Sequence, residues 1–309
     1  SEAEEEISSF AKKHNIPVIA TVMGIGCMQK DDPFYIGATG GLGEGSANNL
    51  SRDTDLALAI GTKLADFTTA SWTNFQNENF KLVSVNTSRF DTVKHRAFPV
   101  VSDAKIGLKE LSKALGDWKA PNDWYQRAIE EKIKWEEYVA KESGPTNQEL
   151  PSYAHAVGAV YRNSDPSDIV VTAAGGLVGE VVQIWKPKEI NTFETEWGFS
   201  CMGYEISGAL GIKMAKPDQD VVVFVGDGSY LLQNSDIYSS VLYEKKLIIV
   251  VCDNGGHMVI NRLQLAKGGK EYLCNLNAAG ATNLQFVDFE AHAKSMGANA
   301  ETVKSTSEL

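Results

Sequence analysis

Asp227 and Asn254 are the residues whose types and spacing point most directly to chemistry. Asp227 lies in Gly226-Asp227-Gly228, directly after the apolar run Val221-Val222-Val223-Phe224-Val225, and Asn254 lies in Asp253-Asn254-Gly255-Gly256, directly after Leu247-Ile248-Ile249-Val250-Val251. A carboxylate, an amide oxygen and a nearby backbone carbonyl make a hard-oxygen half-shell that suits Mg²⁺, whose remaining octahedral positions are filled by phosphate oxygens and water. A diphosphate is therefore the natural missing ligand. The flanking glycines let backbone N–H groups approach such an anion, and a helix starting near Ser229 would add its dipole. Asp-Gly and Asn-Gly are also common turn dipeptides, so either one alone is compatible with a plain turn. Together, spaced by one strand-helix-strand repeat, they point to a site.

The elements that position these residues are legible around them. Both apolar runs are continuous and β-rich, as strands buried on both faces of a parallel sheet should be. Residues 229–244 have helical length, with apolar periodicity at Leu231, Leu232, Ile237, Val241 and Leu242. Strand, helix and strand make a βαβ unit, so Asp227 and Asn254 emerge together at the carboxyl edge of the sheet, where open α/β folds bind ligands. A further strand at 168–172 ends in Ala173-Ala174-Gly175-Gly176 at the same edge. That small-residue turn serves either the diphosphate or the tight packing of strand on helix.

The first half alternates strands and helices in the same way, with strands at 16–22, 56–61 and 81–86 and a helix over 104–115, which predicts a second parallel α/β domain. Gly24-Ile25-Gly26 and the run 37–45 are glycine-rich, but neither forms a clean dinucleotide fingerprint between a strand and a helix. A charged, Trp-rich helix follows, with Trp124, Ile129, Ile133 and Trp135, then Ser143-Gly144-Pro145. The expected organisation is a domain over 1–116, a helical linker over 117–150 and a second domain over 151–309. His95, beside Lys94 and Arg96, reads as structural or solvated and is assigned no chemistry.

Composition narrows the field. The 309 residues are 43% hydrophobic and 22% charged, ordinary for a globular protein with a sizeable core. A net charge of -11, both signs dispersed, argues against a nucleic-acid partner. Cys27, Cys201, Cys252 and Cys274 lack C-x-x-C spacing, which argues against a zinc site or a disulfide scaffold. No apolar run reaches the roughly 20 residues a membrane span needs, and the acidic N-terminus is the opposite of a signal peptide, so the cytoplasm is expected.

The Gly226-Asp227-Gly228 turn with its downstream Asp253-Asn254 resembles the fingerprint of the thiamine diphosphate superfamily of acetolactate synthase and pyruvate decarboxylase. The segments 66–72, 86–95, 172–177, 200–205, 226–230 and 260–264 resemble, in order and approximate spacing, the trihydroxycyclohexanedione hydrolases of myo-inositol breakdown within it. The resemblance implies two doubly wound α/β domains, a central one and a diphosphate-binding one. It implies that Asp227, Asn254 and the Gly256 carbonyl hold Mg²⁺, while Gly226, Gly228, Ser229, Gly175 and Gly176 face thiamine diphosphate. Met202 would prop the cofactor into its bent shape, although periodicity alone makes it plain core, and the Ser200 carbonyl would meet the aminopyrimidine. The implied reaction opens a cyclic 1,2-dione by C–C cleavage and releases an open-chain deoxy-hexuronic acid, 5-deoxy-glucuronate.

The superfamily draws a catalytic glutamate from a pyrimidine-binding domain that ordinarily precedes these two, and no residue of this sequence can be assigned that role. The chain is expected to be a fragment, incomplete at both ends, that binds cofactor weakly by itself and works as a homodimer or homotetramer. Two other readings stand beside this one: a decarboxylating or ligating enzyme of the acetolactate synthase type acting on 2-oxo acids, and a non-catalytic Mg²⁺-nucleotide binding module. His257, Asn261 and Gln264 either line the site or cap a helix.

Overall fold

A computed structural model describes residues 2–276 and 286–309. The chain divides into two compact units, Ser1–Lys141 with Lys186–Ile190, and Glu142–Trp185 with Asn191–Leu309. Both are parallel α/β structures, as the alternating pattern predicts.

The first unit runs α1 (Glu4–His14), β1 (Val18–Ala20), β2 (Tyr35–Ala38), α2 (Gly45–Asp53), β3 (Leu56–Ile60), β4 (Lys81–Asn86), α3 (Arg89–Thr92), β5 (Phe98–Val101), α4 (Ala104–Leu115) and α5 (Asn122–Glu142). β1 pairs with β2, and β3, β4 and β5 form a second sheet in that order, all parallel. The first strand is shorter than the apolar run 16–22 suggests, because Val22–Gly24 turns into a 3₁₀ helix. The Trp-rich segment is no free linker. Ala128 of α5 packs with Ile36 and Leu50, Asn49 donates to Glu131 at 2.8 Å, and the Lys132 ammonium donates to the carbonyls of Lys30 and Asp32. α5 thus belongs to the first unit, because its apolar stripe finds its core there. The glycine-rich turn is stitched to α2: Asn48 accepts from the Gly40 N–H at 2.9 Å and donates to the Gly40 carbonyl at 3.0 Å. His95 bonds the Leu64 carbonyl and packs on the Trp72 ring, a structural role.

The second unit runs α6 (Tyr153–Asn163), β6 (Ile169–Thr172), α7 (Leu177–Ile184), β7 (Phe193–Thr195), α8 (Tyr204–Ala215), β8 (Val221–Gly226), α9 (Asp227–Leu232), α10 (Ser235–Leu242), β9 (Ile248–Cys252), α11 (Met258–Ala266) and α12 (Phe289–Ser295). Its sheet has the order β7-β6-β8-β9, all parallel. Side chains alternate across β8. Val221, Val223 and Val225 pack with Val171, Ile206, Ala209 and Ile237, while Phe224 on the other side meets the Trp185 ring edge-on. Burying both faces explains why the strand is apolar throughout. The helix expected over 229–244 is two helices, α9 and α10, broken at Gln233 (φ −149°, ψ 72°). Among the described residues no helix is long and apolar enough to cross a membrane.

Candidate functional site

The strand order of the second unit locates a crevice. From β6 the chain moves to β7 on one side, then crosses back to β8 on the other, so the direction of winding reverses between β6 and β8. Loops leaving the carboxyl ends of two such strands diverge, and the gap between them is where open α/β sheets bind ligands. The turn 173–176 leaves β6 here, and Asp227 leaves β8. Gly226 pairs with Cys252 across β8 and β9, which sets Asp227 level with Asp253 at the sheet edge.

Asp227 is buried, 4% exposed, and one carboxylate oxygen accepts the Gly256 N–H at 2.7 Å. Burial raises its pKa, opposed by the Gly256 and Gly228 N–H groups and reinforced by the like charge and contact of Asp253. A desolvated carboxylate beside a second carboxylate is a place short of a cation. Among the described residues no three His, Cys, Asp or Glu side chains gather to hold a metal. Two carboxylates and an amide instead suit a hard cation that completes its shell with phosphate and water. The donor set fits Mg²⁺ carrying a diphosphate.

Asn254 reaches the same edge, and its amide nitrogen donates to the Tyr153 hydroxyl at the start of α6. That bond fixes the orientation of the amide, with its nitrogen toward Tyr153. Burial, with Asn254 opposing it, pushes the Tyr153 phenol up to about 12, so it stays a neutral partner. Gly256 takes φ +140°, a conformation L side chains rarely adopt, and a bridge to Asn275 holds the loop together with the His257 N–H bond to the Cys274 carbonyl at 2.8 Å.

The remaining predicted residues gather around this centre. A Cβ added to Gly228 would lie 2.7 Å from the His257 ring and 3.4 Å from the Met202 methyl, so these three meet at one spot. Met202 is 39% exposed, which is unlike plain core. The Ser200 hydroxyl donates to the Ala173 carbonyl at 3.1 Å, tying its loop to the end of β6. Gly176 precedes α7 and lies against the Arg262 guanidinium. Ser229 is buried on α9, next to Gly228 and Asp227. The dipole expected of a long helix at Ser229 is reduced, because α9 has six residues. His257 precedes α11 without capping it through its side chain, and its ring lies against Gly228. Asn261 donates to Glu271 and Gln264 to the Lys270 carbonyl, so both brace the segment after α11.

Two residues escaped sequence reasoning. Tyr153 reads as an apolar helix position, and nothing local announces its bond to a residue 101 positions away. Glu205 is fully buried in the small and apolar run of α8, and a lone acid amid Ile206, Ala209, Leu210 and Ile212 is the signal that was available.

Residues 1–111 match the family described as thiamine pyrophosphate enzyme, central domain, and residues 173–309 match thiamine pyrophosphate enzyme, C-terminal TPP binding domain. A curated protein from Lacticaseibacillus casei named 3D-(3,5/4)-trihydroxycyclohexane-1,2-dione hydrolase is 34% identical over 97% of this chain and 50% of its own length. Proteins of the same name from Halalkalibacterium halodurans and Clostridium tetani are also 34% identical, over 100% and 87% of this chain and 52% and 45% of their own lengths. The chain spans about half the length of the curated relatives it matches.

Proposed function

The chain belongs to the thiamine pyrophosphate enzymes, with their central and C-terminal domains, and from that premise we propose that it anchors thiamine diphosphate through Mg²⁺ in the crevice between β6 and β8. The observation that carries the reading is the buried Asp227 carboxylate at the switch point, beside Asp253 and bonded to the loop that presents Asn254. Asp227, the Asn254 amide oxygen and the Gly256 carbonyl are the proposed metal ligands. Gly175, Gly176, Gly226, Gly228 and Ser229 are the proposed contacts of the diphosphate, with Ser200 and Met202 beside the rest of the cofactor.

The proposed reaction of the whole protein is hydrolytic opening of a trihydroxycyclohexane-1,2-dione ring to 5-deoxy-glucuronate, by a cytoplasmic homodimer or homotetramer. The reading rests on the names of the relatives and on the site's fit to the cofactor. Bound in the crevice, thiamine diphosphate would supply the nucleophile and the electron sink for C–C cleavage. The residues of this chain bind and orient: Asp227 and Asn254 fix the metal, Tyr153 turns the Asn254 amide, and the glycine turns bring backbone N–H groups to the anion. The experiment is a ring-opening assay on the full natural-length protein with thiamine diphosphate and Mg²⁺. Dione consumption that requires both supports the reading. Turnover of 2-oxo acids with none of the dione would replace it with a decarboxylase or ligase.

A further inference from the structure

Glu205 is the one fully buried carboxylate of the second unit among the described residues that the proposed function leaves without a task. One carboxylate oxygen accepts the Ala174 N–H at 3.1 Å and the other accepts the Gly203 N–H at 2.8 Å. The Ser229 hydroxyl also bonds the carboxylate. These donors belong to three separate segments: the turn after β6, the loop before α8 and the first turn after β8. Gly175, Gly176, Ser200, Met202, Gly228 and Ser229 sit on those same segments.

We infer that Glu205 is a positioning residue that sets the spacing of the three loops lining the cofactor crevice. A carboxylate without water is costly to place, and among the described residues no ion pair relieves this one. Burial accordingly raises the carboxyl's pKa, against the bonds from its own amide, Ala174, Gly203 and Ser229. A glutamate placed only to fill space would be better replaced by an apolar side chain, like its neighbours Ile206 and Ala209. What the carboxylate does, and an apolar group cannot, is accept from several loops at one point. Binding groups held by such an inner partner keep their geometry before the ligand arrives, which lowers the ordering cost of binding.

This inference rests on the proposed cofactor site, and the test separates the two. Thiamine diphosphate is titrated with Mg²⁺ into the full natural-length protein and into Glu205→Gln, with melting temperatures of both and the cofactor KM and kcat at saturation. The glutamine keeps one acceptor and turns its amide NH₂, a donor, toward the second N–H. The expected result is a cofactor Kd raised about 10- to 100-fold, roughly one to two lost or strained hydrogen bonds at tenfold per 1.4 kcal/mol, with kcat within about threefold, as expected when only binding geometry is lost. A variant that melts earlier yet binds cofactor as the wild type does would overturn the inference and leave Glu205 a stability residue. If Glu205→Gln does not fold, Ser229→Ala removes one donor and leaves the carboxylate its backbone N–H donors; unchanged cofactor affinity there overturns the inference equally. Failure of the wild type to bind thiamine diphosphate sinks the cofactor reading itself, and the inference with it.

Discussion

Replacing Gly256 with alanine probes the metal loop where its geometry is least forgiving. At φ +140° an L side chain is strained, on the order of 1–3 kcal/mol. The added Cβ would also lie 2.4 Å from the Cys274 carbonyl oxygen, a backbone atom that cannot swing aside alone. Moving it breaks the His257 N–H bond to that carbonyl and disturbs the bond from the Leu276 N–H to the Gly255 carbonyl, at about 1 kcal/mol each. The sum is roughly 3–5 kcal/mol, and since about 1.4 kcal/mol is tenfold, Mg²⁺-dependent cofactor affinity should fall about a hundredfold to a few thousandfold. Titration calorimetry reads the affinity, and thermal melting separates loop damage from global unfolding. Gly268→Ala is the control: φ is +81° and nothing lies within 4 Å of the added Cβ, so it should cost about 1–2 kcal/mol of stability and leave binding alone. Normal Mg²⁺-dependent binding by Gly256→Ala would refute the reasoning that this loop conformation builds the site.

Other perturbations follow from the same geometry. Tyr153→Phe removes the hydroxyl that fixes the Asn254 amide and should weaken Mg²⁺-dependent binding about three- to tenfold, with little change in melting temperature; an unchanged Kd would separate Tyr153 from the site. Phe224→Ala, fully buried in the central strand, should cost about 3–5 kcal/mol in denaturant unfolding, and a loss under 1 kcal/mol would mean that β8 is not the core of its sheet. Glu290, bonded by the Lys294 ammonium at 2.6 Å and the Thr302 N–H at 2.9 Å, is depressed from 4.5 to about 2. Its folded pKa lies below the unfolded value, so its contribution is present above about pH 4.5 and lost as pH falls toward 2. The melting-temperature gap between wild type and Glu290→Gln should therefore narrow from pH 6 to pH 3, and a gap that stays constant contradicts the assignment.

Local chemistry explains which parts were readable in advance. The apolar run 221–225 suits a strand buried on both faces, and it is one, so the parallel sheet was visible in the chain; Gly226-Asp227-Gly228 marked the end of that strand and the start of α9, the edge at which the metal is proposed. The break between α9 and α10 was not. Both halves carry apolar residues at helical spacing, and the departure of Gln233 from helical geometry shows only in three dimensions. Trp124 and Trp135 looked like a linker, because a helix's charged face is obvious in sequence while the partner of its apolar face is not. Tyr153 and Glu205 were missed for a related reason. Each acts through a polar bond to a distant segment, and periodicity reports which face is apolar without saying which polar atom finds a partner.

The central claim is that Asp227 anchors a diphosphate through a divalent cation. Its most direct test is calorimetric titration of thiamine diphosphate into the full natural-length protein, with and without Mg²⁺, beside Asp227→Ala. The account predicts Mg²⁺-dependent heat in the wild type that disappears in the variant while the variant still melts cooperatively. Binding that is equally strong without Mg²⁺, or that survives the loss of Asp227, would contradict it.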